Sequence, residues 1–490
     1  MTEMTTTAQT AQNGGDAPTR LTGHMNTFKL VLSVLAFSSP LTCMAGYFSL
    51  TIGVNGVTAP LAFVFVAAAL LVFTVGYMAM TRRMRRPGAY YAYITTGLGR
   101  VLGLGSAYVA IVSYLAILIG LFCFVGIVIQ GLVSRFGGPE IPWWIGSLAC
   151  VIIVGILGYF NIDVSVRILV WVMVLEVSLT LIFNLAVLFQ GGAEGIPLGS
   201  FNLAEFTGPE AWVGFLFAIL VFIGFEATVL YRDEVKDPDR TIPRATYISV
   251  ILIGGLYVFS VWMLVAAFGS GAQQVANDNL AEMFTMGASQ FIGVWFADVV
   301  NLLLITAVIA ALLSIHNAST RYIFNMGTDG GLAKAIGGVH PRFRSPYRAS
   351  LVSSMIAAAT VLAFAIGNSD PNFTYAALAG VGSTGIIMLM VLVSASVVVW
   401  FRRNPKEPGE NLWKTLIAPL ASTLFFLTLA IFALVNYDLV VGGAPGELDW
   451  LLLILAAPFL AGLIVALVLK SRNPDQYALI GGTDREADAG

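Results

Sequence analysis

The stretch Phe222–Ala245 reads FIGFEATVLYRDEVKDPDRTIPRA. Glu226 stands a few residues inside an apolar segment, two positions after Gly224 and just before a dense run of charges. A carboxylate at such a depth is costly to bury and therefore points to a use. Whether this segment is a membrane helix interrupted at Gly224 decides the fold. The whole chain supports a membrane setting. Of its 490 residues, 58% are hydrophobic and 11% charged, against roughly 25% charged in a soluble domain. A soluble fold of this length could not hide so much apolar surface. Apolar runs of about 20 residues match a hydrocarbon core of about 30 Å. The alternation of barrel strands is not seen, so the backbone must be satisfied within helices. The sequence thus predicts an all-α polytopic membrane protein.

Working outward, about twelve apolar spans can be placed. They lie near Lys29–Ile52, Ala59–Met80, Leu102–Leu132, Trp143–Phe160, Val166–Phe189 and Trp212–Tyr231. The second half follows near Tyr247–Phe268, Phe291–Ile315, Ser350–Ile366, Phe373–Trp400, Leu416–Val435 and Trp450–Leu469. With the amino terminus inside, 24 of the 25 Lys and Arg residues fall on the inner side, Arg135 being the exception. That bias follows the positive-inside rule and predicts cytoplasmic termini. It also checks the span count, because one missed helix would swap every later loop. Residues 1–28 read as a disordered cytoplasmic tail, whose polar stretch Met1–His24 lacks the apolar core of a signal peptide. Residues 471–490 read as a second cytoplasmic tail. The net charge of -2 carries no sign of nucleic acid. Cys43, Cys123 and Cys150 lie in apolar segments at no metal-like spacing and read as small buried hydrophobes. No metal and no cofactor are expected.

Two spans should not be continuous helices. The first, Lys29–Gly53, reads KLVLSVLAFSSPLTCMAGYFSLTIG. Pro40 removes a backbone donor and clashes with the preceding turn, while Ser38, Ser39 and Thr42 compete for backbone groups around it. Gly46 adds a further weak point. Steps of about 1.5 Å from Lys29 place Pro40 near the bilayer's middle. In the sixth span, Trp212–Val221 covers about 15 Å before Gly224 and Glu226 arrive. The plain alternative is that Pro40 merely kinks its helix and that Gly224 lets two helices pack closely. If the first ten spans form two five-helix halves, however, the interruptions hold corresponding positions, the mark of an inverted-repeat transporter. Unpaired backbone at this depth is tolerated only where it lines a cavity or meets a ligand. Half-helix ends offer a positive pole for a carboxylate and a negative pole for an ammonium. An α-amino acid carries both groups.

The stretch GFEATVLYRDEVKDPDRTIPRA resembles the sixth-span signature of the amino acid–polyamine–organocation family of secondary transporters. RRMRRPGAYYAYITTGLGR (Arg82–Arg100) is similar to that family's basic loop before span three, and GYFNIDVSVRI (Gly158–Ile168) to its connection before span five. HNASTRYIFNMGTDGGLAKAIGGVHPRFRSPYRAS (His316–Ser350) resembles its link from span eight to span nine. The resemblance runs from about Ser33 to Trp400. It implies a LeuT-like five-plus-five inverted repeat with discontinuous helices 1 and 6, working by alternating access. The transport core would occupy residues 29–400, with peripheral helices 11 and 12 in residues 401–470.

By the same resemblance, substrate would bind between the two interruptions, with spans three, eight and ten closing around it. Ser38, Ser39, Thr42 and Cys43 are carried over on the first and Phe222, Ile223, Gly224 and Phe225 on the second, with Phe222 and Phe225 as apolar gates. Tyr114 in span three would hydrogen-bond a carboxylate or pair with another helix. Glu226 matches the family's glutamate and is expected either to couple and gate or to tie the break structurally. Glu176 stands where many proton-coupled relatives have a lysine; it would carry a proton, pair with another helix or replace a cation-site ligand. Asp298 is expected to face an extracellular vestibule. Thr306 is followed by Ala307 rather than by a second hydroxyl, which departs from the paired hydroxyls of sodium-coupled relatives and leans toward protons or exchange.

The implied function is proton-coupled uptake of a small amino acid across the cytoplasmic membrane, with exchange of amino acids or amines, or polyamine import, as the alternatives. A non-transporting sensor or channel on the same fold is the rival from another class. An intramembrane enzyme is not expected: His24, His316 and His340 fall at or beyond membrane ends, and no Ser/His or HExxH arrangement appears. GTDGGLAKAIGG lacks the ending of a phosphate loop.

Overall fold

The computed structural model describes residues 26–84, 90–160, 166–226, 228, 229, 235, 237–343, 345–405, 407–444 and 446–481, without the side chains of Ser33, Ala36, Phe37 and residues 166–170. Most of both expected tails, part of the basic loop after Arg83, the Asn161–Ser165 connection, the Arg167 side chain and most of Ala227–Lys236 lie outside the described residues.

The first span is three helices, α1 (Thr27–Ser38), α2 (Pro40–Ala45) and α3 (Tyr47–Asn55), followed by α4 (Ala59–Arg83), α5 (Tyr90–Leu98), α6 (Arg100–Arg135) and α7 (Trp143–Tyr159). Next come α8 (Val166–Gln190), α9 (Pro209–Leu220), α10 (Pro238–Phe268), the short α11 (Ala272–Asp278) and α12 (Met283–Phe291), and α13 (Val294–Thr328). The chain ends with α14 (Tyr347–Ile366), α15 (Pro371–Arg403), α16 (Ala418–Val435), α17 (Tyr437–Val441), α18 (Leu453–Arg472) and α19 (Pro474–Ala478). Among the described residues, nine helical segments are long and apolar enough to cross a membrane. The twelve apolar runs of the sequence fall in order on α1–α3, α4, α6, α7, α8, α9, α10, α13, α14, α15, α16 and α18. The chain is an all-α polytopic membrane protein.

Helices outrun the apolar runs because polar residues cap and extend them past the lipid. Asp370 accepts a hydrogen bond from the Phe373 amide at 2.9 Å and Pro371 takes the first helical position of α15, where its missing N–H is no loss. Pro238 takes the first position of α10 in the same way, a turn and more before the apolar run begins. Close helix contacts rest on small residues. A Cβ at Gly462 would stand 2.7 Å from the Gly105 Cα, which marks how tightly α18 lies on α6. His316 is buried in α13, and its Nε2 meets the Ser350 hydroxyl of α14 at 2.9 Å.

One end of the bundle is rich in cations. The last turns of α4 (Arg82, Arg83), α15 (Arg402, Arg403) and α18 (Lys470, Arg472) lie there, and Arg83 reaches Glu407 past the end of α15. Part of the expected carboxy-terminal tail is packed against this end, because Tyr477 and Ile480 supply apolar anchors. Ile480 is buried, the Gly481 amide donates to Asp329 at 3.4 Å and Arg100 donates to the Ala478 carbonyl at 3.2 Å. At the opposite end, Arg135 pairs with Asp298, and Glu194 accepts from the amide and hydroxyl of Ser270.

Candidate functional site

The first break falls at Ser39. The Ser39 amide closes α1 on the Leu35 carbonyl at 3.0 Å, and Ser39 itself adopts a left-handed backbone with φ 43°. A residue before proline is steered away from the right-handed helix, and Pro40 then starts α2 at its first position. The first N–H groups of a helix lack a carbonyl one turn back. Glu176 of α8 meets that need: its Oε2 accepts from the Leu41 amide at 3.3 Å and from the Ser39 hydroxyl at 3.0 Å. The Ser39 hydroxyl is also 2.7 Å from that of Thr42, which must then donate to Ser39.

The second break follows α9. Three bonds close back by only three residues, from the amides of Phe222, Ile223 and Phe225, each at 3.2 Å. Gly224 then turns with φ 109°, a conformation that L side chains avoid. Glu226 folds back on this turn. Its Oε2 accepts from the Gly224 amide at 2.9 Å and its Oε1 from the Tyr114 hydroxyl of α6 at 2.7 Å. Each break is thus capped by a buried or half-buried glutamate, and among the described residues neither forms an ion pair.

The two breaks meet. The Ser38 hydroxyl donates to the Val221 carbonyl at 3.0 Å and also contacts the hydroxyl of Tyr257, from α10. Beside this junction lies a cavity of about 20 Å³, room for a single water. Ser38, Thr42, Cys43 and Tyr47 line it from the first span, Leu220 and Ile223 from the second. Ile117 and Leu121 of α6 and Ala311 and Ile315 of α13 complete the wall.

Of the residues anticipated from sequence, Ser38, Thr42, Cys43 and Ile223 reach this cavity. Ser39 points instead to Glu176, and Gly224 is the pivot of the second break. Phe222 packs on the Tyr257 ring with centroids 6.4 Å apart, and Phe225 on Phe73 at 6.0 Å. Tyr114 donates to Glu226, so it pairs with another segment of the fold, while its ring lies 5.3 Å from that of Tyr322. Asp298 is apart from the others, paired with Arg135 at the end opposite the cations. Sequence reasoning missed Tyr47 and Tyr257, and it did not name the residues that α6 and α13, the third and eighth spans, bring to the wall. Ile117/Leu121 and Ala311/Ile315 sit at helical spacing, but no polar residue set those faces apart from ordinary packing. Among the described residues no group of side chains could hold a metal ion.

A polytopic bundle whose two interrupted helices meet at an internal cavity has the build of a solute carrier. A family profile described as amino acid permease matches residues 27–469, and the chain belongs to that family. Its members are transporters and not enzymes. The chain is 22% identical over 407 residues to the low-affinity putrescine importer PlaP of Escherichia coli strain K12, covering 81% of this chain and 85% of the relative. It is 26% identical over 316 residues to the aromatic amino acid transport protein AroP of Escherichia coli O6:H1, covering 60% of this chain and 65% of the relative. AroP of Salmonella typhimurium strain LT2 gives 26% over 315 residues.

Proposed function

We propose that this permease carries a small amino acid across the cytoplasmic membrane by alternating access, that uptake is driven by protons, and that Glu176 is the proton carrier. The observation that supports the last assignment is the unequal use of the two glutamates. Both oxygens of Glu226 accept hydrogen bonds, which suits a fixed cap on the second break and a gating role. Glu176 accepts both of its bonds on Oε2. Its Oε1 accepts none among the described residues and is open to a proton.

The cavity wall holds hydroxyls, a thiol and apolar groups but no carboxylate. A diamine needs anions for its ammonium groups, whereas a zwitterion can use the poles of two half-helices. The wall therefore favours an amino acid, although the name of PlaP concerns putrescine. At about 20 Å³ the cavity must widen to take any of these guests, as a carrier that opens alternately to two sides requires. In this reading residues 29–400 form the five-plus-five core and residues 401–470 hold two flanking helices. The cation-rich end, with both termini, faces the cytoplasm.

Uptake of radiolabelled amino acids and of putrescine into proteoliposomes under an inward proton gradient tests the reading. Accumulation of an amino acid, lost in Glu176→Gln while exchange persists, is expected. Gradient-driven uptake that survives in Glu176→Gln but fails in Glu226→Gln would move the carrier role to Glu226. No accumulation of any amino acid or amine would overturn proton-driven transport itself.

A further inference from the structure

Glu176, Thr180 and Asn184 recur every fourth residue along α8, so they share one face of that helix. All three are buried, at 5%, 1% and 0% exposure, and together they span about 12 Å along the axis. Two of them carry polar atoms without partners among the described residues. The Thr180 hydroxyl bonds none of these, although a helical threonine commonly bonds the carbonyl four residues back, as Thr74, Thr81 and Thr95 do here. Asn184 donates to the Ser260 hydroxyl of α10 at 2.8 Å, yet its Oδ1 has no partner among the described residues. Two buried polar atoms without partners, on one face and leading to a carboxylate, call for an explanation. Water would supply the missing partners, since buried water binds where several otherwise unsatisfied polar groups converge.

We infer that ordered water lines this face of α8 and that Thr180, Asn184 and Ser260 form a proton path from the outer half of the membrane to Glu176. The inference rests on the assignment of Glu176 as proton carrier. The path runs toward the outer end of α8: Asn184 lies six residues before Gln190, or about 9 Å from the helix end. There Val187 is fully buried and the Phe183 and Phe284 rings meet with centroids 5.1 Å apart, which seals the path in this closed conformation. A proton advances as an O–H bond forms at one oxygen while the neighbouring water's O–H bond breaks, and the Glu176 carboxylate is the final acceptor. The elements around Glu176 bring the Ser39 hydroxyl and the Leu41 amide as donors, and Cys43 and Tyr257 as the nearby titratable groups. Among the described residues no charged side chain acts on Glu176, so nothing on these elements competes with it for the proton.

Thr180→Val and Asn184→Leu keep the side-chain volume and remove the polar atoms. In the full-length protein reconstituted into liposomes, each should slow proton-gradient-driven uptake roughly tenfold, the loss expected for one relay hydrogen bond. Exchange at equal pH should stay within about twofold in Thr180→Val, since a hydroxyl without a partner adds little to the fold. X-ray hydroxyl-radical footprinting, which labels side chains beside bound water, should mark residues 176–184 in the unsubstituted protein and lose that mark in Thr180→Val. Absence of the mark, or gradient-driven uptake unchanged in both variants, overturns the path. So does a parallel fall in uptake, exchange and melting temperature, which would make the face a mere tie between α8 and α10. A mark that persists while Glu176→Gln retains gradient-driven uptake overturns the carrier assignment and the proton route while leaving the water in place.

Discussion

The Ser38 hydroxyl donates to the Val221 carbonyl at 3.0 Å, linking the last residue of α1 to the first residue past α9. A serine has one proton to donate, so the contact between Ser38 and Tyr257 is a bond given by the tyrosine. Three membrane segments are therefore pinned at one oxygen atom. Ser38→Ala leaves a buried carbonyl and a buried phenol without their partner, which should cost about 1–3 kcal/mol. Thermal unfolding of the purified protein reads this as a lowered midpoint, and an unchanged midpoint would show that the pin carries no strain-bearing role.

Gly224 holds φ 109°, so Gly224→Ala should cost about 1–2 kcal/mol from backbone conformation alone and should abolish uptake, because Glu226 caps that very turn. Gly255 supplies the control. It lies inside α10 with open space where a Cβ would stand, and Gly255→Ala should be neutral or slightly stabilising. Transport by Gly224→Ala at the unsubstituted rate would remove the second break from the mechanism.

Asp298 and Arg135 form a partly exposed ion pair, a type worth about 0–1 kcal/mol. Asp298→Asn should therefore leave the pH dependence of uptake unchanged, whereas a shifted pH profile in liposomes would restore a coupling role to this acid.

Glu194 offers a pH signature outside the membrane. The Ser270 amide and hydroxyl, at 2.9 and 2.8 Å, hold its carboxyl below the ordinary range. A depressed value means that its contribution to stability is fully present above about pH 4.3, the ordinary glutamate value, and is lost as pH falls through the folded-state value. Glu194→Gln should thus melt lower than the unsubstituted protein at neutral pH, and the two should converge in acid. A constant gap across that range would mean that ionisation of Glu194 plays no part.

The helices were legible in the sequence wherever apolar runs, prolines and acidic caps agree. Pro40 correctly announced an interruption, yet the pivot is the serine before it: the left-handed residue is Ser39, and Pro40 is a comfortable first residue of α2. Gly224 and Glu226 likewise announced the second break. What could not be read was partnership. Tyr114 has the chemistry to hold a carboxylate, and only tertiary packing decides that the carboxylate is Glu226. Tyr257, in the middle of an apolar run, looked like any membrane tyrosine until α1 brought Ser38 against it. The α5, α11 and α12 helices escaped notice because, at nine, seven and nine residues, they are too short to form an apolar run of membrane length.

Glu176 and Glu226 already occupy amides that the two interruptions set free. The amino acid proposed as cargo would therefore arrive at seats that are taken, and its loading would be an exchange of residents rather than the filling of a vacancy. In the proposed cycle a resident that gains a proton loosens its grip on the Leu41 amide at the moment the visitor needs an opening. Rivalry for one N–H group is then enough to make the two cargoes travel together.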